Sequence, residues 1–145
     1  MLGDEKMNNH EAITIAQKLV AESKSVLVGS NDEAGFPNIK AMFNLEHNGL
    51  KEFWFSTNTS SKRVAQFRNN SKASLYFVDF NNFCGLLLIG TMEVLQDDAS
   101  RKRLWREGFE MYYPQGVDDP DYSVLKFTAI RGNIYHQLQN ISFEL

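Results

Sequence analysis

One cysteine, Cys84, stands in 145 residues. That excludes an intrachain disulfide framework and any multi-cysteine zinc site, and it fits a reducing, cytoplasmic setting. A long apolar run is also missing. The longest, Leu86-Leu87-Leu88-Ile89, falls far short of the roughly 20 residues that span a bilayer, so no membrane partner is expected. Met1 to Asn9 is polar and mixed in charge, without the apolar stretch of a secretory signal. Cationic excess is absent too. Lys and Arg total 15 against 18 Asp and Glu, a formal charge of −3, which argues against a nucleic-acid partner. The glycine-rich dinucleotide fingerprint, the P-loop and the nucleophile-elbow pentapeptide do not occur. His10, His47 and His136 lack ligand spacing, so no metal site is expected, and Cys84 reads as an inert core thiol in an apolar strand.

Length and patterning point to a single domain over 1–145 with a sizeable core. Asn9 is placed to cap a helix in which Ala12, Ile13, Ala16, Leu19 and Val20 repeat at helical spacing, as far as about Ser23. Ser25–Ser30 reads as a strand, Asn31–Gly35 as a turn, and Asn38–Leu45 as a second strand entered from Pro37. Asn48-Gly49 is a strong hairpin signal and makes Glu52–Thr57 the partner of Asn38–Leu45. Thr59-Ser60-Ser61 then offers caps for a helix from Lys62 to about Arg68.

Lys72–Phe80 alternates like a strand, and Cys84–Leu95 is a long strand in which Gly85 and Gly90 suggest a bulge or a close backbone approach. Asp97-Asp98 opens a third helix carried through Leu104, Trp105, Phe109 and Met111. Its run Arg101-Lys102-Arg103, with Arg106, reads as a solvated face near Glu93, Asp97 and Asp98. After the turn-rich Pro114–Asp121, two strands, Tyr122–Ile130 and Asn133–Leu138, are expected to pivot at Gly132. Strands in hairpin order with three interspersed helices predict a mainly β, antiparallel, Greek-key-like barrel with accessory helices.

One stretch departs from the background. The 26 residues from Phe53 to Val78 contain no Asp or Glu, where the chain average would place about three, yet they hold Lys62, Arg63, Arg68 and Lys72. Lys62 and Arg63 fall in the first turn of the second helix, the unfavourable end for a cation unless an anion sits over the free N–H groups. The other reading is a Ser-capped surface helix whose charges point at water. From this segment alone both stay open.

The run from Phe55 to Phe77, with Ser56-Thr57-Asn58, Ser61-Lys62-Arg63, Asn69-Asn70 and Ala73-Ser74-Leu75, resembles the flavin-binding core of the pyridoxamine 5′-phosphate oxidase-like family. Gly35-Phe36-Pro37-Asn38-Ile39-Lys40-Ala41-Met42 is similar to that family's Gly-x-Pro strand. Trp105, Tyr113-Pro114, Gly116 and Asp118-Asp119-Pro120-Asp121 resemble its general-stress-protein branch. The resemblance implies a split β-barrel that binds FMN at a homodimer interface. It further implies that Lys62, Arg63 and Ser61 hold the FMN phosphate, with Lys40 as a basic partner. Ala41, Met42 and Phe43, together with Ser56 and Thr57, would line the flavin and its ribityl chain. Trp105 is either a pocket-shaping residue or a core tryptophan.

Departures from the family pattern carry their own expectations. Leu45 stands where true oxidases have a substrate-side Lys, Gly85 where they have a flavin-contacting Gln, and nothing up to Leu145 is comparable to their C-terminal extension with its substrate-gripping Arg and His residues. The resemblance therefore implies an FMN-dependent redox role with an unidentified small-molecule partner, rather than vitamin B6 oxidation. Its rivals are a non-catalytic flavin-carrying stress or sensor module, and a barrel that holds haem or a deazaflavin, with His136 the haem candidate. No side chain stands out as a general acid or base.

Overall fold

The computed structural model describes residues 6–145; of the polar opening segment, residues 1–5 lie outside the described residues. Helix α1 (Asn9–Glu22) is capped one residue earlier than the pattern suggests. Asn8 accepts the Glu11 N–H at 2.9 Å and donates from Nδ2 to the Glu11 carboxylate at 2.8 Å. The two ends of the first turn thus satisfy each other. Ala12, Ala16, Leu19 and Val20 form its buried stripe. None of the helices among the described residues is long and apolar enough to cross a membrane.

Eight antiparallel strands follow: β1 (Ser25–Asn31), β2 (Pro37–Phe43), β3 (Glu46–Asn48), β4 (Glu52–Asn58), β5 (Lys72–Asp79), β6 (Cys84–Leu95), β7 (Tyr122–His136) and β8 (Gln139–Glu144). Helix α2 (Lys62–Asn69) lies between β4 and β5, and α3 (Asp98–Leu104) between β6 and β7. The strand order is β2-β1-β5-β6-β7-β4-β3, with β8 also on β7. The sheet forks at β7, whose residues 122–128 pair with β4 and 131–136 with β8. A sheet that branches and curls in this way is the split β-barrel expected from the sequence.

Three expectations about pairing change. Asn48-Gly49 does open a hairpin, with Gly49 at φ +57°, but the strand it joins to β4 is the short β3. The strand Asn38–Leu45 is not the partner of β4; β2 pairs with β1 instead. The chain breaks between them at Asn44, whose N–H donates to the Lys24 carbonyl at 3.0 Å. Its Nδ2 donates at 3.0 Å to the carbonyls of Val20 and Ser23 at the end of α1, the first of which also accepts the Ser23 N–H. Gly132 is not a pivot either. It lies within the continuous β7, where a Cβ would come within 2.7 Å of the Phe143 ring. The turn falls at Gln137-Leu138, both at positive φ without a glycine, and returns as β8.

Gly90 meets the expectation of a bulge. The β6–β7 register shifts between Ile89 and Gly90, and a Cβ there would collide with the Thr128 carbonyl. The main core fills the concave side of the sheet, with Phe53, Phe55, Leu75, Phe77, Leu86, Leu88, Phe127 and Ile134 packed against α1 and α2. A smaller core on the other face of β4 and β7 gathers Trp54, Leu104, Tyr113, Tyr122 and Val124.

Helix α3 belongs to that second core and ends at Leu104, earlier than the periodicity suggests. A short 3₁₀ turn at Phe109–Met111 carries the later aromatics. Its basic run is not a uniformly solvated face. Arg103 lies 4.2 Å over the Trp54 ring and pairs with Glu46 at 3.0 Å, while the Arg101 Nε is buried. Arg106 donates to the carbonyls of Arg103 and Trp105.

Candidate functional site

The curl of the sheet brings its two remote ends together. Strands β2 and β4 are separated by four others in the strand order, yet both line one open cleft of about 220 Å³. Ala41, Met42 and Phe43 come from β2, with Ser25 and Leu45 beside them. Ser56, Thr57 and Asn58 come from the last turn of β4, Arg63 from α2, and Phe109, Tyr112 and Tyr113 from the 3₁₀ segment. The walls are mostly apolar and aromatic, with hydroxyls along one side, the composition of a slot for a flat ligand with a polar tail.

Arg63 supplies the cleft's cation. Ser61 caps α2 by accepting the Val64 N–H at 3.3 Å, which starts the helix at Lys62 and turns the Arg63 side chain inward. Its Nη2 donates to Thr57 Oγ1 at 2.9 Å, and its Nε is buried with no partner. The ion pairs among the described residues join Lys18 to Glu22, Arg103 to Glu46 and Lys126 to Glu52; none involves Arg63. Burial lowers its affinity for the proton, but a guanidinium stays charged at neutral pH. A desolvated cation with no counter-ion among the described residues is costly, and an anion at this wall of the cleft would offset that cost.

The aromatic wall is braced from behind. Trp105 does not line the cleft; its ring centroid sits 5.7 Å from Phe109, 6.0 Å from Tyr113 and 5.4 Å from Tyr122. Tyr122 donates its hydroxyl hydrogen to the Arg101 carbonyl at 2.9 Å and lies 3.3 Å from the Ser56 hydroxyl. Burial, with smaller contributions from Tyr122 and Asp121, pushes the Tyr113 phenol well above its ordinary pKa. It therefore remains a protonated donor at neutral pH.

Of the residues singled out in the sequence, the cleft brings together Ala41, Met42, Phe43, Ser56, Thr57 and Arg63. Lys40 is exposed on β2 and Lys62 is exposed in the first turn of α2; neither lines the cleft. Ser61 uses its oxygen as the cap of α2 and is likewise not among the residues that line the cleft. Sequence reasoning did not place Phe109, Tyr112 or Tyr113 in the site, although the aromatic density of Phe109-Glu110-Met111-Tyr112-Tyr113 is the signal that was there to read. His136 stands at the far end of β7 from Tyr122, away from the cleft. Among the described residues no group of three His, Cys, Asp or Glu could hold a metal ion.

Comparison with known proteins agrees with this architecture. The family model for pyridoxamine 5′-phosphate oxidase matches residues 15–136. A solved structure from Clostridium acetobutylicum, a protein related to general stress protein 26 of Bacillus subtilis (pyridoxinephosphate oxidase family), is 52% identical and superposes with a TM-score of 0.86. That match covers 95% of this chain and 97% of the other. General stress protein 26 from Bacillus anthracis, at 16% identity and a TM-score of 0.73, covers 96% of this chain and 100% of that one. A heme-binding protein from Mycobacterium smegmatis, also 16% identical, gives 0.74 over 97% of this chain and 59% of that one. At those lower identities the likeness is one of fold. No curated protein matches the sequence. With the family model spanning both strand ends of the cleft and the Arg63 helix between them, the chain belongs to the pyridoxamine 5′-phosphate oxidase family.

Proposed function

We propose that the cleft holds FMN and that the protein is a homodimeric flavoprotein oxidoreductase with a small-molecule redox partner. The observation that carries this reading is Arg63: a half-buried guanidinium in the cleft wall, bonded to a hydroxyl, with Nε unpartnered. A phosphate monoester supplies the missing anion, and the Ser61 hydroxyl and the α2 N-terminus lie on the same turn as Arg63. Ala41, Met42, Phe43, Ser56 and Thr57 offer the flat, largely apolar slot that a flavin ring needs. Lys40 and Lys62, exposed on β2 and in the first turn of α2, add to the positive field that draws the phosphate in.

Bound FMN would supply reversible hydride or electron transfer; the chain's own residues bind it, orient it and keep water from its ring. Among the described residues no carboxylate or imidazole lines the cleft. Proton movement at this site therefore falls to the hydroxyls of Ser25, Ser56, Thr57, Tyr112 and Tyr113, or to solvent.

The outer face of the sheet supports the dimer. Leu27, Ile39, Phe43 and Tyr76 are exposed at 37%, 66%, 56% and 39%. They share one face through the pairs Leu27↔Ala41, Leu27↔Tyr76, Gly29↔Ile39 and Ser25↔Phe43. Ala41 and Phe43 belong both to this apolar face and to the cleft, so a second copy seated there would close the cleft's mouth. The test is the absorbance of the purified protein followed by mass spectrometry of its released ligand. Absorbance bands of an oxidised flavin and the mass of FMN are expected. A Soret band, or release of a deazaflavin, would replace this reading with one of its rivals.

A further inference from the structure

We propose that Asp121, outside the cleft, is a positioning residue that holds the 58–61 turn in the conformation that aims Arg63 and the α2 N-terminus at a bound phosphate. The inference rests on the FMN reading above. Both carboxylate oxygens of Asp121 are taken by that turn: Oδ2 accepts Asn58 Nδ2 at 2.8 Å and Oδ1 accepts the Ser60 N–H at 2.7 Å. The Thr59 N–H donates to the Asp121 carbonyl at 2.7 Å, and the Thr59 and Ser123 hydroxyls are 2.6 Å apart. Every residue from Asn58 to Ser60 is thus tied to the start of β7, and the Ser61 N–H closes the turn on the Asn58 carbonyl at 3.0 Å.

Asp121 is itself held from behind. Its N–H donates at 2.9 Å to Asp119, which is buried and accepts the Gln115 N–H with its other oxygen at 2.9 Å. No Lys or Arg among the described residues forms an ion pair with Asp121. A carboxylate beside an anion site opposes the anion electrostatically. Its use here is geometric: two acceptors at fixed positions, matched to one side-chain donor and one backbone donor.

The two effects carry opposite signs, which makes the test decisive. If Asp121 acted only through charge, Asp121→Asn would remove a repulsion and tighten FMN. If it positions the turn, Asp121→Asn weakens FMN, because a neutral amide accepts more weakly from the Ser60 N–H and can meet Asn58 only if the Asn58 amide turns its oxygen round. A loss of about tenfold corresponds to one charge-assisted hydrogen bond.

The exchange variant Asn58→Asp with Asp121→Asn keeps the net charge. It restores complementarity, since residue 121 can then donate to residue 58 and still accept from Ser60. FMN affinity, read by fluorescence quenching on full-length protein, should fall in Asp121→Asn and return to within about threefold of wild type in the exchange. Asp121→Glu, which keeps the charge and moves the oxygens, should weaken FMN without a matching loss of Tm. Unchanged or tighter FMN binding in Asp121→Asn and Asp121→Glu overturns the proposal, as does an exchange variant that folds but stays weak. If wild type itself fails to bind FMN in the same titration, the reading of the cleft falls instead and takes this inference with it.

Discussion

Arg63 Nη2 and Thr57 Oγ1 are 2.9 Å apart, joining the first turn of α2 to the end of β4 across six residues of chain. Thr57 is buried and serves as the acceptor, so its own hydroxyl hydrogen remains available to the cleft. The pair fixes the direction of a cation that no carboxylate among the described residues neutralises. Side-chain freedom that a lysine or arginine ordinarily loses on binding an anion is already given up in the free protein, which favours binding.

Solution mass tests the apolar outer face. Wild type should sediment as a dimer at micromolar concentration. Ile39→Asp alters a residue that is 66% exposed in the single chain, so it should leave the fold intact and shift the protein to monomer while weakening FMN. A wild-type monomer that still binds FMN tightly would rule out a site completed by a second subunit.

Gly90→Ala tests the bulge that lets β6 follow the curl of the sheet. The added methyl would meet backbone, the Thr128 carbonyl, with no flexible side chain to give way. A destabilisation of about 1–3 kcal/mol is expected from such overpacking. Urea unfolding measures it, and an unchanged midpoint would mean that the strand can slide to relieve the contact.

Much of this fold was legible because its elements carry local signals. Ser61 before Lys62, Asp97 before Asp98 and the alternation of Lys72–Asp79 each mark an element by residues a few positions apart. The misread pairings depend on distant residues. Nothing near Asn44 announces that its amide will answer the end of α1, so β2 was paired with the wrong strand. Gly132 looks like a turn until Phe143 is known to pack over it, and Gln137-Leu138 turns without glycine. For the cleft, the carboxylate-free stretch pointed at Lys62 and Arg63, of which only Arg63 lines it. The aromatic wall was hidden inside an over-extended helix, because Trp105 and Phe109 also suit a helical stripe.

Acid should loosen the helix and turn caps. Hydrogen bonds from Ser100 hold the Asp97 carboxyl below its ordinary pKa, and hydrogen bonds from Asn82 do the same for Asp79. A depressed folded-state pKa means that the unfolded chain binds the proton more readily. The caps then stabilise fully above the ordinary Asp value of about 3.9, and that stabilisation is lost as pH falls through the folded values. Tm measured against pH should show wild type losing its advantage over Asp97→Asn below about pH 4. A constant difference down to pH 2.5 would contradict the assignment.

The most direct test of the central claim is a paired titration of FMN and riboflavin against wild type, Arg63→Ala and Arg68→Ala, followed by flavin fluorescence. Charge-assisted hydrogen bonds to a phosphate are each worth about 1.5–3 kcal/mol, so Arg63→Ala should weaken FMN by roughly ten- to a hundredfold. Riboflavin, which has no phosphate, should bind wild type poorly and respond little to the substitution. Arg68, exposed and bonded to Gln96 at 3.1 Å, serves as the control whose loss changes neither ligand. Equal FMN affinity in Arg63→Ala and wild type would contradict the account and return Arg63 to a structural role.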